Sequence, residues 1–451
     1  MKRYEGIHFY INIKNYNSII LDEEKRYGSV NRSIHALDTF FSSVESYGER
    51  NYKETFITEK ITGSRLHLYV VDDIVSAFKT VKAVSGFAYK LSNVINKEIG
   101  KYKNLIDFSI QVGAAFGEFY DFEFSGEDGF AEMTTIGYAA NFAAKIQGLT
   151  AAGRIGISEN IYEELENADQ NLFRRVKEKS IDKYGQDCYY SALLAQLSTS
   201  PEITPADMEM VKGRANEVDL YEIHYEGVRK QLDFGKLSRK DCKKLDGIPV
   251  YADVRGFTKQ FDPEDENLDE MARRTQGVLS AMYNVTTQCG GIHVQFQGDR
   301  ELSLYHDVPG DEGNSCFKPA VLAALRMIDA VKPLSLHIGV GADYGRLFAT
   351  RIGARGDKDN ILLGETVIRA DYMEDKCAKE DQIAITKEVF DGLVSVDSSL
   401  AALFKASGDD IYIATIGFKK YLENKESERL QAETKKNSYN AAWGQEYWIK
   451  K

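Results

Sequence analysis

The sequence predicts an α/β (α+β) fold made of two βαββαβ units in one chain, packed against each other as an intramolecular pseudo-heterodimer. Three observations support this prediction. The chain has 451 residues, which is too long for a single hydrophobic core. The same order of strand and helix patterns occurs twice. The repeat period is more than about 200 residues, which excludes a solenoid and is typical of a duplicated domain.

In the second half, apolar patterns predict, in order, a strand, a helix, a hairpin, a helix, a strand pair, a helix, a strand and a helix. The stretches are GIPVYADV, LDEMARRTQGVLSAMYNVT, GIHVQFQGDRELSLYHD, FKPAVLAALRMIDAV, LSLHIGVGADYGRLFATRIG, ETVIRADYMEDKC, QIAIT and KEVFDGL. Strand–helix–strand–strand–helix–strand is the order of a split βαβ unit.

The first half shows the same elements in the same order. The stretches are GIHFYINI, SIHALDTFFSSVESY, EKITGSRLHLYVV, IVSAFKTVKAVSGFAYKLSNVI, FSIQVGAAFGEFYDFEF, YAANFAAKIQGL, GRIGIS and ENIYEEL. The closest match between the halves is ISENIYEEL with ITKEVFDGL. We therefore expect two copies of one domain.

The proline distribution marks the boundary between the copies. No proline precedes Pro201, and TSPEITPADMEM then contains two. The predicted organisation is a first domain (1–195), a linker (196–245), a second domain (246–418) and a charged C-terminal tail (419–451).

The composition is that of an ordinary globular protein, with 43% hydrophobic and 28% charged residues. A net charge of −12 argues against nucleic acid or an anionic membrane as the main partner, because both favour basic surfaces. A small anionic substrate remains compatible with this charge, since metal ions can neutralise phosphates locally.

The five cysteines are scattered without a C-x-x-C pair, which supports neither a disulfide framework nor a zinc site. With no signal-peptide core and no membrane-length apolar run, we expect a cytoplasmic protein.

Two carboxylates distinguish the second half. Asp253 ends an apolar strand before Arg-Gly, and Asp299 follows a glycine at the tip of the next hairpin. On neighbouring strands they can converge on one or two hard cations such as Mg²⁺, which bind a few carboxylate oxygens plus substrate phosphates. The matching residues of the first half, Asn12 and Ser64, carry no negative charge.

The first half keeps a polar helix face that the second half lacks. Asn141 and Lys145 are four residues apart and therefore share one face of a helix. Their counterparts in the second half are Ile368 and Tyr372.

A second pair differs in the same direction, because Lys60 corresponds to Gln295 and Thr134 to Ile361. Singly, such residues are more often turn acids or solvated polar residues than parts of an active site. Each half, however, keeps the polar residues that the other half lacks. If the halves pack face to face, one site between them is complete and the symmetry-related site is inactive.

At these residues the chain resembles the class III nucleotide cyclases, in which paired domains form the active site across their interface. YADVRGFT and the hairpin Gly-Asp are similar to the metal-binding motifs, and IGYAANFAAK is similar to the transition-state helix. Within the class, DVRGFT and the absence of sensor or membrane modules resemble the Pycsar anti-phage pyrimidine cyclases. The resemblance implies two Mg²⁺ or Mn²⁺ ions at Asp253, Val254 and Asp299, catalytic Asn141 and Lys145, and base- or phosphate-binding Lys60, Thr134 and Lys183.

The implied reaction converts a nucleoside triphosphate to its 3′,5′-cyclic monophosphate and pyrophosphate. Lys60 would donate to a ring nitrogen and Thr134 would accept from an exocyclic amine, a pattern that adenine and cytosine offer. The resemblance favours CTP, giving cCMP, with UTP and cUMP as a further option. The alternatives are an adenylate cyclase making cAMP and a non-catalytic nucleotide-binding regulator.

The resemblance also implies antiviral second-messenger synthesis, with the product read by a separate effector protein. The expected assembly is a monomer with an intrachain site or a higher homo-oligomer. Lys145 stands where the class usually has arginine, and a lysine offers a point charge without a planar fork. We therefore expect reduced activity unless Arg255 or Arg300 supplies the missing cation.

Overall fold

The structure is a computed structural model, which describes most of the chain. The described residues are 2–99, 102, 106–126, 130–197, 203–216, 226–227, 230–256, 268–308, 315–354, 358–427, 429–431 and 433. The Phe-Thr pair that ends YADVRGFT, residues 257 and 258, lies outside them, as do residues 434–451 of the predicted tail.

The described elements follow the predicted order in both halves. In the first half the strands are β1 (Lys2–Ile13), β2 (Phe56–Thr62), β3 (Arg65–Val70), β4 (Ile110–Ser125), β5 (Ala131–Gly137), β6 (Arg154–Ile157), β7 (Arg174–Lys177) and β8 (Cys188–Leu193). Its helices are α1 (Tyr16–Tyr27), α2 (Asn31–Tyr52), α3 (Ile74–Lys97), α4 (Tyr138–Leu149), α5 (Glu159–Glu164), α6 (Asn167–Gln170) and α7 (Leu194–Leu197). Helix α8 (Pro205–Asn216) and strand β9 (Glu226–Gly227) lie between the halves along the chain.

The second half has a matching set. Its strands are β10 (Lys243–Val254), β11 (Ile292–Gln297), β12 (Arg300–His306), β13 (Ile338–Ala342), β14 (Gly345–Ile352), β15 (Asp359–Leu363), β16 (Gln382–Thr386), β17 (Lys405–Gly408) and β18 (Ile411–Ala414). Its helices are α9 (Leu268–Gln288), α10 (Phe317–Val331), α11 (Glu365–Tyr372), α12 (Lys387–Val396) and α13 (Ser398–Ala401). The stretch ETVIRADYMEDKC, predicted as one helix, is α11 followed by a π-helical turn over Met373–Cys377.

The two sheets share one strand order, which confirms the predicted pair of similar α/β units. The first sheet runs β2-β3-β1-β4-β6-β8-β7, with β5 on β4. The second runs β11-β12-β10-β13-β16-β18-β17, with β14 pairing β10 and β15. In each sheet a parallel pair, β4 with β6 and β13 with β16, is joined through a crossover helix, as parallel strands require.

The central strand of each half is apolar on one face and polar on the other. Alternate residues of β1, from Ile7 to Ile13, enter a core formed with α2 and α3, and the intervening residues are His8, Tyr10 and Asn12. Successive side chains of a strand point to opposite sides, so these three share the opposite face of the sheet. The same alternation along β10 sends Val250, Ala252 and Val254 into the second core and leaves Asp253 on the other face.

The halves contact each other through two equivalent hydrogen bonds. The carboxylate of Glu132 on β5 accepts from the backbone N–H of Phe296 on β11, at 3.1 Å. The carboxylate of Asp359 on β15 accepts from the backbone N–H of Ile61 on β2, at 2.6 Å. Glu132 and Asp359 occupy equivalent positions in the two sheets, and so do Phe296 and Ile61. The interface thus has the reciprocal pattern of a two-fold pair within one chain.

The predicted linker is largely structured where it is described. Helix α8 packs on α2, where Asp207 pairs with Arg50 and Arg214 donates to Ser46 at 3.0 Å. Strand β10 already begins at Lys243, inside the predicted linker, because residues 243–247 pair with β14. The exact domain limits remain a prediction.

The five cysteines form no disulfide, as predicted. In the part of the chain that the structure describes, we find no helix whose length and apolarity would allow it to cross a membrane. Residues 419–427 of the predicted tail are helical, and Tyr421 is buried in the second core.

Candidate active site

A cavity of about 390 Å³ lies between the two halves and is lined by both. The first half contributes Asn141 and Lys145, and the second half contributes Asp253 and Asp299. We call it the composite cavity. Its other lining residues are Tyr10, Glu59, Lys60, Thr62, Arg65, His67, Ala144, Tyr184, Gln297, Gly298, Arg300, Asp371, Glu374 and Asp375.

The hairpin geometry of the second half brings the two acids together. Asp253 lies at the end of β10 directly opposite Arg300, the first residue of β12. Gly298 and Asp299 form the tight turn before Arg300, and Gly298 has a φ of 72° that favours glycine. Asp299 therefore lies in the turn, at the same edge of the sheet as Asp253.

These two carboxylates fit a cation site. Burial raises the pKa of Asp253, against the opposing effect of Arg300 and Arg255. Burial and the neighbouring Asp253 raise the pKa of Asp299 well above its usual value. Two carboxylates that repel each other in a confined space are stabilised by a divalent cation, whose charge offsets both. Asp253 and Asp299 supply the hard oxygen donors that Mg²⁺ and Mn²⁺ bind.

The arginines of the second half are already engaged with acids. Arg300 lies 2.6 Å from Asp371 and 2.7 Å from Glu374. Arg255 lies 2.6 Å from Glu374 and 3.2 Å from Asp253. Arg255 and Arg300 were named only as an exception that could supply the missing cation, and the structure does not favour that exception, because the charges of both arginines are neutralised by these acids. Burial raises the pKa of Glu374 to about 7, although both arginines oppose this.

Asn141 and Lys145 are presented to the cavity by α4, as their spacing predicts. Asn141 lies on the first turn of α4, and its buried Nδ2 has no hydrogen-bond partner among the described residues. A buried amide donor without a partner is costly, so this Nδ2 is available to an acceptor atom of a ligand in the cavity. Lys145 lies one turn later on α4 and is half-buried.

Sequence reasoning missed Arg65. It is the first residue of β3, lies opposite Asn12, and lines the composite cavity. No hydrogen bond or ion pair to the described residues holds its guanidinium, whereas the equivalent Arg300 is bound to two acids. The available signal was the pair of matching hairpins, Gly-Ser-Arg and Gly-Asp-Arg, each of which places an arginine directly after the turn.

Lys60 lines the composite cavity, but its ammonium group is directed into the interface between the halves. It lies 2.5 Å from Glu132 and donates to the carbonyl oxygen of Phe296 at 3.1 Å. The ammonium group of Lys60 therefore has protein partners, whereas the sequence predicted that it would donate to the base of the substrate.

Three other predicted residues do not line the composite cavity. Thr134 is fully buried and lines a separate cavity beside Tyr69 and Asp121. Lys183 is exposed, with its ammonium 5.1 Å from the ring centre of Tyr184, which does line the composite cavity. The side chain of Val254 is buried in the second core, because it alternates with Asp253 along β10.

The charge of the composite cavity is unfavourable for a free polyphosphate. Six carboxylate side chains line it against four cationic ones, which leaves a formal excess of two negative charges. A triphosphate is therefore repelled unless cations accompany it.

A second cavity, of about 270 Å³, occupies the pseudo-symmetric position. We call it the mate cavity. Asn12, Ser64 and Ile368 line it at the positions equivalent to Asp253, Asp299 and Asn141. The mate cavity therefore lacks both the paired acids and the helix amide at these positions. The sequence comparison of the two halves indicated the same differences.

The architecture has a close counterpart among solved structures. A class III adenylyl cyclase-like ATP-binding protein from Pseudomonas aeruginosa superimposes with a TM-score of 0.68, covering 93% of this chain and 90% of that one at 18% identity. The chain has the tandem class III cyclase fold. The resemblance inferred from the sequence motifs is thus confirmed at the level of fold.

Two curated relatives of this cyclase-fold chain are both named uridylate cyclase. The one from Pseudomonas aeruginosa is 26% identical over 273 residues, which is 56% of this chain and about half (52%) of the relative. The one from a Rhizobium species is 21% identical over 416 residues, which is 84% of this chain and 77% of the relative. No protein-family model matches the chain.

Proposed function

We propose that the chain is a nucleotidyl cyclase that converts a pyrimidine nucleoside triphosphate to its 3′,5′-cyclic monophosphate and pyrophosphate. The observation that carries the proposal is the composite cavity, where Asn141 and Lys145 of one half face Asp253 and Asp299 of the other. The fold and the two relatives named uridylate cyclase agree with it.

In the reaction, the 3′-oxygen of the ribose attacks the α-phosphorus, the bond from the α-phosphorus to the bridging oxygen breaks, and pyrophosphate leaves with that electron pair. The proton of the 3′-hydroxyl passes to solvent. Asp253 and Asp299 would hold two divalent cations, which would lower the pKa of the 3′-hydroxyl and neutralise phosphate charge when bound. Both reacting groups belong to one substrate, so much of the protein's task is to orient it.

The first half supplies the orienting groups. The Nδ2 of Asn141, which has no partner among the described residues, would donate to the ribose and fix its position. Lys145, on the same face of α4, would stabilise the charge that develops at the α-phosphate. Arg65 would bind the outgoing pyrophosphate with its planar fork, a geometry that suits phosphate oxygens. Lys183 remains a prediction for the terminal phosphates.

For the base, we favour UTP over the CTP that the sequence reasoning preferred. That preference depended on a Lys60 donor and a Thr134 acceptor acting together on the base edge. The ammonium of Lys60 is bound to Glu132 and Phe296, and Thr134 lines a different cavity. The argument for ATP loses its basis for the same reason. A role in antiviral defence, with a separate effector reading the product, remains a prediction from the resemblance.

One experiment tests the function. The purified chain is incubated with equimolar UTP, CTP, ATP and GTP in the presence of Mg²⁺ or Mn²⁺, and cyclic products are identified by mass spectrometry. Cyclic UMP or cyclic CMP with pyrophosphate supports the proposal, and cyclic AMP supports the adenylate cyclase alternative. Nucleotide binding without turnover under either metal contradicts catalysis and supports a non-catalytic regulator.

A further inference from the structure

A chain of three buried polar side chains lies at the first-half wall of the composite cavity. The carboxylate of Glu59 is 2.7 Å from Nδ1 of His67, and Nε2 of His67 is 2.9 Å from Nδ1 of His8. Glu59 and His67 line the cavity directly, while His8 lies behind them and is fully buried.

Packing fixes the orientation of these groups. The ring of Tyr10 stacks on His67 at 4.0 Å, and His8 packs on Tyr69 and Phe119. Glu59 occupies a β-bulge in β2, which is the usual way for a strand to re-aim one side chain. An immobile polar group in a cavity wall can discriminate between ligands, because it cannot rotate to accommodate the wrong one.

Only the first half carries these three polar side chains. The equivalent positions in the second half are Pro249, Val294 and Leu302, all of them apolar, although the bulge itself is present in both halves. Leu302 lines the mate cavity, just as His67 lines the composite one. Like Asn141 and Lys145, these three residues are polar in the first half and replaced by apolar residues at most of the equivalent positions of the second. This difference indicates that they serve the composite cavity and are not needed for the fold.

The protonation state of Glu59 follows from its partners. Burial opposes its ionisation, but His67 and Lys60 outweigh it and lower the pKa of Glu59 to about 2. Its Oε2 accepts from the hydroxyl of Thr135 and from His67, whereas its Oε1 accepts only from the backbone N–H of Thr135, at 3.1 Å, among the described residues. A carboxylate oxygen has two lone pairs, so Oε1 keeps one acceptor position.

We propose that Glu59, held by His67 and His8, reads the base and selects a pyrimidine that carries a hydrogen on N3. This inference rests on the proposed cyclase function and names its substrate as UTP. Uracil has an N3–H, which can donate a hydrogen bond to the carboxylate of Glu59. Cytosine has a lone pair on N3, which faces the same carboxylate unfavourably and leaves it without a donor.

Two variants test this assignment by the ratio of products from equimolar UTP and CTP. Glu59→Gln replaces a pure acceptor with an amide that can also donate to N3 of cytosine, so the ratio of cyclic UMP to cyclic CMP should fall by about tenfold or more. His67→Leu copies the second half and releases Glu59, so the ratio should fall in the same direction. The ratio is measured by mass spectrometry at equal protein concentration.

Glu23→Gln is the matched control. Glu23 is also buried and also accepts from a hydroxyl and backbone N–H groups, those of Ser33 and Arg32, but it does not line the composite cavity. It should leave the product ratio unchanged, and its melting temperature reports the cost of losing such a carboxylate. If Glu59→Gln does not fold, the ratio of cyclic UMP to cyclic CMP made by His67→Leu tests the role of Glu59 instead.

The outcomes separate this inference from the proposed function. A wild-type chain that forms no cyclic nucleotide contradicts the proposed function itself. A wild-type chain that makes mostly cyclic CMP, or variants that turn over substrate with an unchanged ratio, overturn the role of Glu59 and leave the cyclase function intact.

Discussion

The ammonium group of Lys60 lies 2.5 Å from the carboxylate of Glu132, in a contact that joins the two halves of the chain. Glu132 also accepts from the backbone N–H of Phe296 at 3.1 Å and lies 3.0 Å from Nε2 of His293, both in the second half. A residue predicted to read the base therefore takes part in a buried charge network across the interface. This relationship leads to two predictions about stability.

Replacing Lys60 should affect stability more than base selection. Lys60→Met keeps the length of the side chain but leaves Glu132 without its cation, which should lower the free energy of unfolding by about 1–3 kcal/mol. Thermal unfolding measures the loss, and the ratio of cyclic products should stay within about twofold of the wild type. A large change in the ratio of cyclic products for Lys60→Met, at unchanged stability, would instead support a direct contact between Lys60 and the base.

The interface network should also make stability depend on pH. Burial disfavours the charged imidazole of His293, but Glu132 and Glu301 outweigh it and raise its pKa to about 9. The folded state therefore binds a proton that the unfolded state, with a pKa near 6.5, releases earlier. This contribution is fully present below about pH 6.5 and is lost as pH rises towards 9, so the melting temperature should decline across that window.

His293→Gln should flatten this decline, measured by thermal unfolding across the same pH window. The control is His337→Gln, because His337 also contacts a carboxylate, that of Asp381 at 3.0 Å, but is 54% exposed. The control should keep the wild-type pH profile. An unchanged profile in His293→Gln would mean that the network does not hold a proton at His293.

Lys145→Arg should raise the rate of cyclisation. Arginine adds a planar fork that binds two phosphate oxygens at once, whereas lysine offers one ammonium, so we expect an increase in kcat of about three- to tenfold. Steady-state pyrophosphate release measures it. Tyr372→Phe, at the equivalent position on α11, should leave kcat unchanged. A fall in kcat for Lys145→Arg would indicate that the cavity is shaped for the smaller cation.

Asp299→Asn should stabilise the metal-free protein while removing its response to metal. Burial and the charge of Asp253 make the ionised Asp299 unfavourable, so a neutral amide of the same size relieves that repulsion. We expect the melting temperature in chelator to rise by about 2–4 °C, and the further rise on adding Mg²⁺ to disappear. Ser64→Ala, at the equivalent position of the mate cavity, should still respond to Mg²⁺ as the wild type does.

Much of the architecture was predictable, because it depends on local patterns that occur twice. The alternation in β1 and β10 identified the central strands, and the four-residue spacing of Asn141 and Lys145 placed both on one helix face. The convergence of Asp253 with Asp299 followed from strand pairing next to a tight turn. These features depend on periodicity and register, which the sequence carries directly.

The partners of long side chains were not predictable in the same way. Lys60 has the residue type and position of a base donor, but its ammonium reaches Glu132 only because the second half packs against β2. Arg255 and Arg300 are occupied by Glu374 because a π-helical turn brings that acid to the end of β10. His8 is far in sequence from Glu59 and His67, which share one hairpin, and it meets them only through the pairing of β1 with β3.

The central claim is that each half contributes essential groups to one site. Its most direct test is pyrophosphate release from UTP by four variants with matched folding: Asn141→Ala and Asp299→Ala in the composite cavity, and Ile368→Ala and Ser64→Ala in the mate cavity. We predict that the first two lose at least about 100-fold in kcat/KM, because transition-state positioning and cation binding are removed, while the other two stay within about threefold of the wild type. Equal losses in both pairs, or full activity in Asn141→Ala and Asp299→Ala, would contradict a single site shared by the two halves.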